Sequence, residues 1–371
     1  MVTLALNSLS LLVLVAYAGL LFWYRTGIKR LKTNPFLVQN AENAPKITVV
    51  IAMRNEAQNI AQCLNSVLTQ TYKNYEVILI NDHSTDNSLV VAQRIVAQFG
   101  GKITVLEAEK TGKKAALLQG IKHATGSLIA VTDADCVVQP EWLGTFAGAY
   151  VQQNYKLMSA PVRLVGDENF FKKVQILEFA GLNAIGAACI ALEQPNMCNG
   201  ANLCYERRAF FEVNAFEENQ HLASGDDEFL MHKIHECYGS QSVAFLQQAQ
   251  ATVYTATQAS ISQFFSQRKR WASKSGSYKN KWITAQMALV FLVNLCILMN
   301  ILCLNFEVVL WQCVLKYVAE WYFYASFAGF YDLKNWRTNL FLGQALQIPY
   351  VVLVAASTLK KGYNWKGRAQ W

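Results

Sequence analysis

Two strongly apolar stretches, residues 4–24 and 283–359, bracket a middle of ordinary polarity at 25–282, and this layout constrains the fold more than any single motif. The chain is 53% hydrophobic and only 16% charged, and the apolar excess sits at its ends. Leu4–Tyr24 has about the 20 residues that cross a bilayer. No basic residue precedes it, and Phe22-Trp23-Tyr24-Arg25 follows, which suits an uncleaved interfacial anchor better than a signal-peptide cleavage site. The expectation is an anchor at 1–24 with the N-terminus outside, a cytosolic domain at 25–282, and a membrane region at 283–371 with two or three spans. Trp282–Cys303 reads as a good span. Phe306–Phe330 is poorer, because Lys316 and Glu320 lie inside it at i, i+4. They pair with each other, lie along a partner helix or mark a re-entrant segment. Leu340–Leu359 is a third candidate, with a kink at Pro349. Three full spans place Lys360, Lys361, Lys366 and Arg368 outside, against the positive-inside tendency; two keep them inside.

The net charge of +8 is concentrated beside these stretches, in Arg25, Lys29, Arg30 and Lys32, then in Arg268, Lys269, Arg270, Lys274, Lys279 and Lys281. Basic residues there mark the cytosolic side and the anionic lipid surface, so no nucleic-acid partner is expected. Nine cysteines without a C-x-x-C pair read as buried thiols in a reducing compartment.

In the middle, Ile47–Ala52 suits a buried parallel strand, and helical spacing follows at Ile60, Leu64, Val67 and Leu68. Further strands and helices alternate as far as the apolar run that ends in Asp133-Ala134-Asp135. This predicts an α/β fold with a mostly parallel sheet and ligands outside the carboxyl ends of its strands. No G-x-G-x-x-G follows the first strand and no P-loop motif is present, which removes the main support for dinucleotide or P-loop chemistry.

Four clusters carry chemistry. Asp82 after the second strand suits a base or ribose; Asp86 beside it either shares that task or caps the next helix. The Thr111-Gly112-Lys113-Lys114 turn places basic side chains and free N–H groups at a helix start, as a pyrophosphate requires. Asp133 and Asp135, two residues apart on an extended chain, repel unless a cation lies between them. A divalent ion bridging them to a diphosphate relieves that repulsion. Ser224-Gly225-Asp226-Asp227-Glu228 crowds acids at a helix start, where one suits a general base.

In their order along 46–272 these elements resemble the family-2 glycosyltransferases of the GT-A fold. That group contains cellulose, chitin, hyaluronan and poly-N-acetylglucosamine synthases and ceramide glucosyltransferase. The matching residues are the opening strand with Asn55-Glu56, Asp82, the Gly112-Lys113-x-x-Ala116-Leu117 turn, Asp133-Ala134-Asp135, the Cys198–Phe210 stretch, Asp226-Asp227, and Gln267-Arg268-Lys269-Arg270-Trp271 as Q-x-x-R-W. Asp226 stands where that family usually has glutamate. The resemblance implies a GT-A nucleotide-diphospho-sugar transferase domain with N- and C-terminal transmembrane helices, seated in the cell (inner) membrane as a multi-pass protein. It implies donor contacts from Glu56, Asp82, Lys113, Asp133 and Arg270. Asp135 and Asp133 would hold Mg²⁺ or Mn²⁺, and Asp227 with Asp226 would act catalytically. Asn199, Gly200, Gln267 and Trp271 would meet the acceptor. The donor is expected to be UDP-linked, and the acceptor a membrane lipid or lipid-linked glycan, with anomeric inversion. A processive polysaccharide synthase and a non-catalytic membrane binding module are the alternatives. The stretches 168–192 and 262–278 are expected to be interfacial helices.

Overall fold

The computed structural model describes residues 2–31, 36, 44–166, 169–217, 225–358, 363–365 and 368–370. Ser224, Lys32, Lys360, Lys361 and Lys366 lie outside the described residues. The elements run α1 (Val2–Arg30), β1 (Ile47–Met53), α2 (Ile60–Leu68), β2 (Tyr75–Asn81), α3 (Ser88–Phe99), β3 (Ile103–Glu107), α4 (Lys113–His123), β4 (Leu128–Val131) and β5 (Val137–Val138). There follow α5 (Trp142–Gln153), β6 (Leu157–Ser159), β7 (Val162–Val165), α6 (Phe170–Ala191), β8 (Leu203–Glu206), α7 (Arg207–Glu212), α8 (Asp226–Tyr238), β9 (Val243–Phe245) and β10 (Val253–Ala256). The chain ends with α9 (Ile261–Ala272), α10 (Lys281–Leu302), α11 (Phe306–Tyr324), α12 (Trp336–Ser357), β11 (Tyr363–Trp365) and β12 (Arg368–Gln370).

Two compact units divide this chain, and α6 contributes to both. One unit comprises Arg30–Val165 and Ile185–Ala256. Its main sheet has the order β3-β2-β1-β4-β8-β6-β9. Strands β1 to β4 are mutually parallel, β8 runs antiparallel to both of its neighbours, and β9 is parallel to β6. The near-continuous apolar runs of β1 and β2 follow from this, since a central parallel strand is covered on both faces. Helix α2 buries Ile60, Cys63, Leu64, Val67 and Leu68, the single apolar stripe that its spacing dictates. Helix α4 lies so close to β1 and β2 at Gly120 that a Cβ there would come within 2.6 Å of Val50 and Ile80. A smaller sheet, β5-β10-β7, completes the unit. The carboxyl ends of β1, β2 and β4 open on one edge, and there the chain turns polar at Arg54, Asp82 and Asp133.

The other unit comprises Met1–Lys29, Gly166–Ala184 and Thr257–Trp371. Its helices join through polar side chains buried among apolar ones. Tyr17 donates to Glu320 at 2.8 Å, Tyr24 to Gln286 at 2.8 Å, and Asn300 to Ser10 at 3.2 Å. Lys316 and Glu320 pair with each other at 2.6 Å, their side chains 0% and 4% exposed, and Lys316 also donates to Gln347 at 2.7 Å. Helix α11 stops at Tyr324. The following segment contains Asp332 and Asn335 in the left-handed region, and α12 begins only at Trp336. Pro349 lies inside α12. Four described helical stretches are long and apolar enough to cross a membrane: Leu6–Arg30, Phe170–Ala191, Lys281–Leu302 and Trp336–Ser357.

Candidate active site

At the sheet edge the strand exits are tied to one another. Arg54 donates to the carbonyls of Asp82 (2.9 Å) and His83 (2.6 Å), fixing the end of β1 against the end of β2. Asp82 is 1% exposed, and both its oxygens accept the Gly112 N–H, at 3.1 and 3.2 Å. Gly112 has φ +111°, a conformation that L side chains rarely adopt, and it ends the turn so that Lys113 is the first helical residue of α4. Glu56 is buried beside the start of α2 and accepts from Asn59 at 2.7 Å. Asp86 does more than cap: it accepts the Ser88 N–H (3.0 Å) and the Ala57 N–H (3.2 Å), joining two loops. Burial pushes its carboxyl up, yet the bonds from Ser88 and Ala57 outweigh this and hold it below the usual carboxylate range.

Lys113 reaches from α4 to Asp133 at the end of β4, with Nζ 2.6 Å from Oδ1. Desolvation opposes its charge, but Asp133, then Asp226 and Asp227, raise it above the ordinary lysine value. Lys113 therefore lies within electrostatic reach of Asp226 and Asp227 as well as paired with Asp133. Ligand atoms of Asp133, Asp135 and Cys136 all lie within 4.8 Å of one another. Burial, followed by Asp135 and Asp133, pushes the Cys136 thiol far up, so the hard carboxylates define the donor set. Asp133 and Asp135 stand in a turn closed by the Cys136 N–H to the Asp133 carbonyl at 3.0 Å, not on the extended chain that their spacing predicts, and two hard oxygens there fit Mg²⁺ or Mn²⁺. Cys136, whose sulfur is 3.5 Å from Asp135 Oδ1, is the neighbour that the spacing of the acids did not reveal.

Asp227 sits in the first turn of α8, after Gly225 in the left-handed region. Its Oδ2 accepts the Gly200 N–H at 2.7 Å and its Oδ1 accepts the Glu228 N–H at 2.8 Å. Gly200 is presented by a turn in which Asn199 Oδ1 accepts the Ala201 N–H at 3.0 Å. A Cβ on Gly200 would stand 3.3 Å from Asp227 Oδ2, so the close approach itself favours glycine. Next to it, buried Asn202 donates to the carbonyls of Pro161 (2.8 Å) and Ala251 (2.7 Å) and accepts from Trp142 (2.8 Å). This pin holds the Asn199-Gly200 turn. Asn202 was not foreseen, because its partners are 41 to 60 residues away.

Gln267, Arg270 and Trp271 lie on α9, in the other unit. The anchored member of that motif is the intervening Arg268, 4% exposed and paired with Glu178 at 2.6 Å. Its guanidinium lies 4.4 Å from the Phe264 ring centre and 4.3 Å from that of Trp271, and it donates to Gln267. Tyr350 donates to the same Glu178 at 2.8 Å.

A mostly parallel sheet with one reversed strand, and acids at its carboxyl edge, defines a class that comparison with solved structures identifies. The chain is similar to the mannosyltransferase PcManGT from Pyrobaculum calidifontis, solved with GDP-Man and Mn²⁺, with a TM-score of 0.60 at 17% identity over 95% of this chain and 99% of that one. The fold is GT-A. Residues 48–213 match the family model described as glycosyl transferase family 2. Poly-beta-1,6-N-acetyl-D-glucosamine synthase of Staphylococcus aureus (strain COL) is 29% identical over 210 residues, 54% of this chain and 48% of the relative. Glycosyltransferase AglE of Haloferax volcanii is 35% identical over 101 residues, 27% of this chain and 33% of the relative. The chain thus spans about half or less of the length of these curated relatives.

Proposed function

We propose that this chain is an inverting glycosyltransferase that moves a sugar from a nucleotide-diphospho-sugar, UDP-linked by its family resemblance, to a membrane lipid or lipid-linked glycan. The observation that carries this reading is the charged cluster at the sheet edge, which combines groups for a diphosphate with a fixed carboxylate. Lys113 and the N-terminus of α4 suit the diphosphate. Asp82 and Glu56 line the nucleotide side, and Arg270 adds a further cation by family resemblance. Asp133 and Asp135 would hold Mg²⁺ or Mn²⁺, which neutralises charge developing on the leaving group. Asp227, fixed by Gly200 and Glu228, takes the proton from the acceptor hydroxyl as its oxygen attacks the anomeric carbon and the bond to the diphosphate breaks. Asp226 adds negative charge beside it; Asn199 and Gly200 serve the acceptor, and Gln267 and Trp271 take an acceptor role by family resemblance alone.

Helix α1 and the α10–α11 pair hold this domain to the cell membrane, with 25–282 on the cytosolic side. Exposed Leu11, Leu12 and Val15 on α1, and Leu310, Trp311 and Val318 on α11, support a lipid-facing surface. Purified protein in detergent with Mg²⁺ or Mn²⁺ is expected to release free nucleotide diphosphate from a nucleotide-sugar when membrane lipid extract is added. No turnover of any common donor would instead support a non-catalytic binding module. Processive synthesis is the second reading, favoured by the likeness to the poly-N-acetylglucosamine synthase. Product mass separates the two, since a ladder of long polymer overturns the lipid-acceptor reading.

A further inference from the structure

We propose that His83 is a donor-binding residue whose imidazole accepts a hydrogen bond from a ribose hydroxyl of the nucleotide. This rests on the transferase reading above and deepens it, by giving the nucleoside a contact beyond Asp82 and Glu56.

The backbone singles this residue out. His83 follows the carboxyl end of β2 with φ +52°, in the left-handed region where a Cβ is crowded and glycine is the unstrained choice. An L residue held there costs stability, and such residues gather at functional sites where the surroundings over-determine the conformation. The surroundings do so here. Arg54 donates to the carbonyls of Asp82 and His83 at 2.9 and 2.6 Å. Asn81 Oδ1 accepts the Ser84 N–H at 3.2 Å and closes the turn around His83. Asn55, itself at φ +51° after β1, accepts the Thr85 N–H at 2.8 Å through its side chain. Ser84 Oγ accepts the Asn55 N–H in return, at 3.1 Å. The Asn55 side chain thus joins the two loops and explains itself. The His83 side chain takes no part in this joining, so the folding of the loop supplies no reason for an imidazole.

Its ring is instead aimed. His83 Nδ1 lies 3.3 Å from Asp82 Oδ1, and the side chain is 47% exposed although Asp82 is buried. Asp82 already accepts the Gly112 N–H on both oxygens, at 3.1 and 3.2 Å. The longer imidazole bond therefore orients the ring more than it fixes the acid. With Asp82 as acceptor, Nδ1 carries a proton, and the neutral ring presents Nε2 as an acceptor. Through Asp82 the ring is joined to the turn that leads into Lys113, at the carboxyl edge of the sheet where ligands bind.

Acceptor character selects the partner. A diphosphate offers further acceptor oxygens, whereas the 2′ and 3′ hydroxyls of a ribose can donate. The contact therefore belongs to the nucleoside end of the donor.

Two variants of the full chain in detergent test this by calorimetry with Mn²⁺. The probes are UDP and GDP, then the 2′-deoxy and 3′-deoxy forms of whichever binds. His83→Gly relieves the left-handed backbone, so it should melt at or above the wild-type temperature while binding the nucleotide about tenfold more weakly. His83→Asn tolerates the same φ with a shorter side chain, and should lose affinity by about as much. In wild type one deoxy form should bind about tenfold more weakly than its parent, and both variants should abolish that preference. Unchanged affinity in the variants, or a ribose preference that survives in them, overturns the assignment. So does a lower melting temperature with equal losses for parent and deoxy forms, which would make His83 a purely structural residue. If wild type binds neither UDP nor GDP, the donor reading fails and this inference falls with it.

Discussion

Asp227 gains its fixed position from two backbone N–H groups, and only one of them was readable from its own helix. The Glu228 N–H belongs to the same turn, but Gly200 is 27 residues earlier and reaches Asp227 through folding alone. Asp227→Asn keeps one acceptor and turns an amide toward a donor, so a modest loss of stability of about 1 kcal/mol is expected. Transfer should fall by about a hundredfold or more, while nucleotide affinity, measured by calorimetry, stays near wild type. Retained transfer would remove Asp227 as the base. Lys113 offers a separate test. Its ammonium neutralises Asp133, so Lys113→Met should let a divalent ion bind more tightly in the absence of donor. The same change should raise the donor KM about tenfold, the size of one charge-assisted hydrogen bond. Titration calorimetry with Mn²⁺ reads the first effect and nucleotide release the second; weaker Mn²⁺ binding would contradict the competition.

Among the elements, the parallel strands were legible because a strand buried on both faces must be apolar throughout, as β1 and β2 are. The reversed β8 was not legible, because Leu203–Glu206 is short and its direction is set by the distant strands β4 and β6. The acids after β2 and β4 were recognisable for the same reason the strands were: a sharp change from apolar to polar. Glu76 on β2 shows what such patterns miss. Burial pushes its carboxyl up, but Thr48 (2.7 Å), Lys46 (2.9 Å) and Thr125 (2.8 Å) bring it down to about 2. A carboxyl depressed in the folded state adds stability above its unfolded value of about 4.3, and that stability is lost as pH falls toward 2. Glu76→Gln should therefore be less stable than wild type at pH 7 by about 2 kcal/mol after discounting for solvent. The gap should close between about pH 4 and pH 2 in thermal melts, and a pH-independent gap would refute the linkage.

At the scale of the whole molecule, the sequence separated an apolar frame from a polar middle but did not assign the frame's helices. Hydropathy weighs Lys316 and Glu320 as charges against burial, whereas the structure pairs them in the helix interior with Tyr17 and Gln347. Which face of α11 is buried therefore depends on partners in α1 and α12 that no local window contains. The pair makes a further prediction. Lys316→Met leaves the Glu320 carboxylate buried with only Tyr17 as a donor among its described bonds, and removing one partner of a buried pair costs about 3–5 kcal/mol. Glu320→Leu leaves the ammonium with Gln347 and should be similarly harmful. The double variant Lys316→Met with Glu320→Leu removes both charges from an apolar bundle. It should regain most of the loss, because two desolvated charges offset little more than their own burial. Detergent-resistance melts of the four proteins measure the cycle. If the double variant falls by the sum of the singles, the side chains act independently. A double variant near wild type shows that the two charges matter to each other, and that apolar contacts, rather than the ion pair, hold α11 in place.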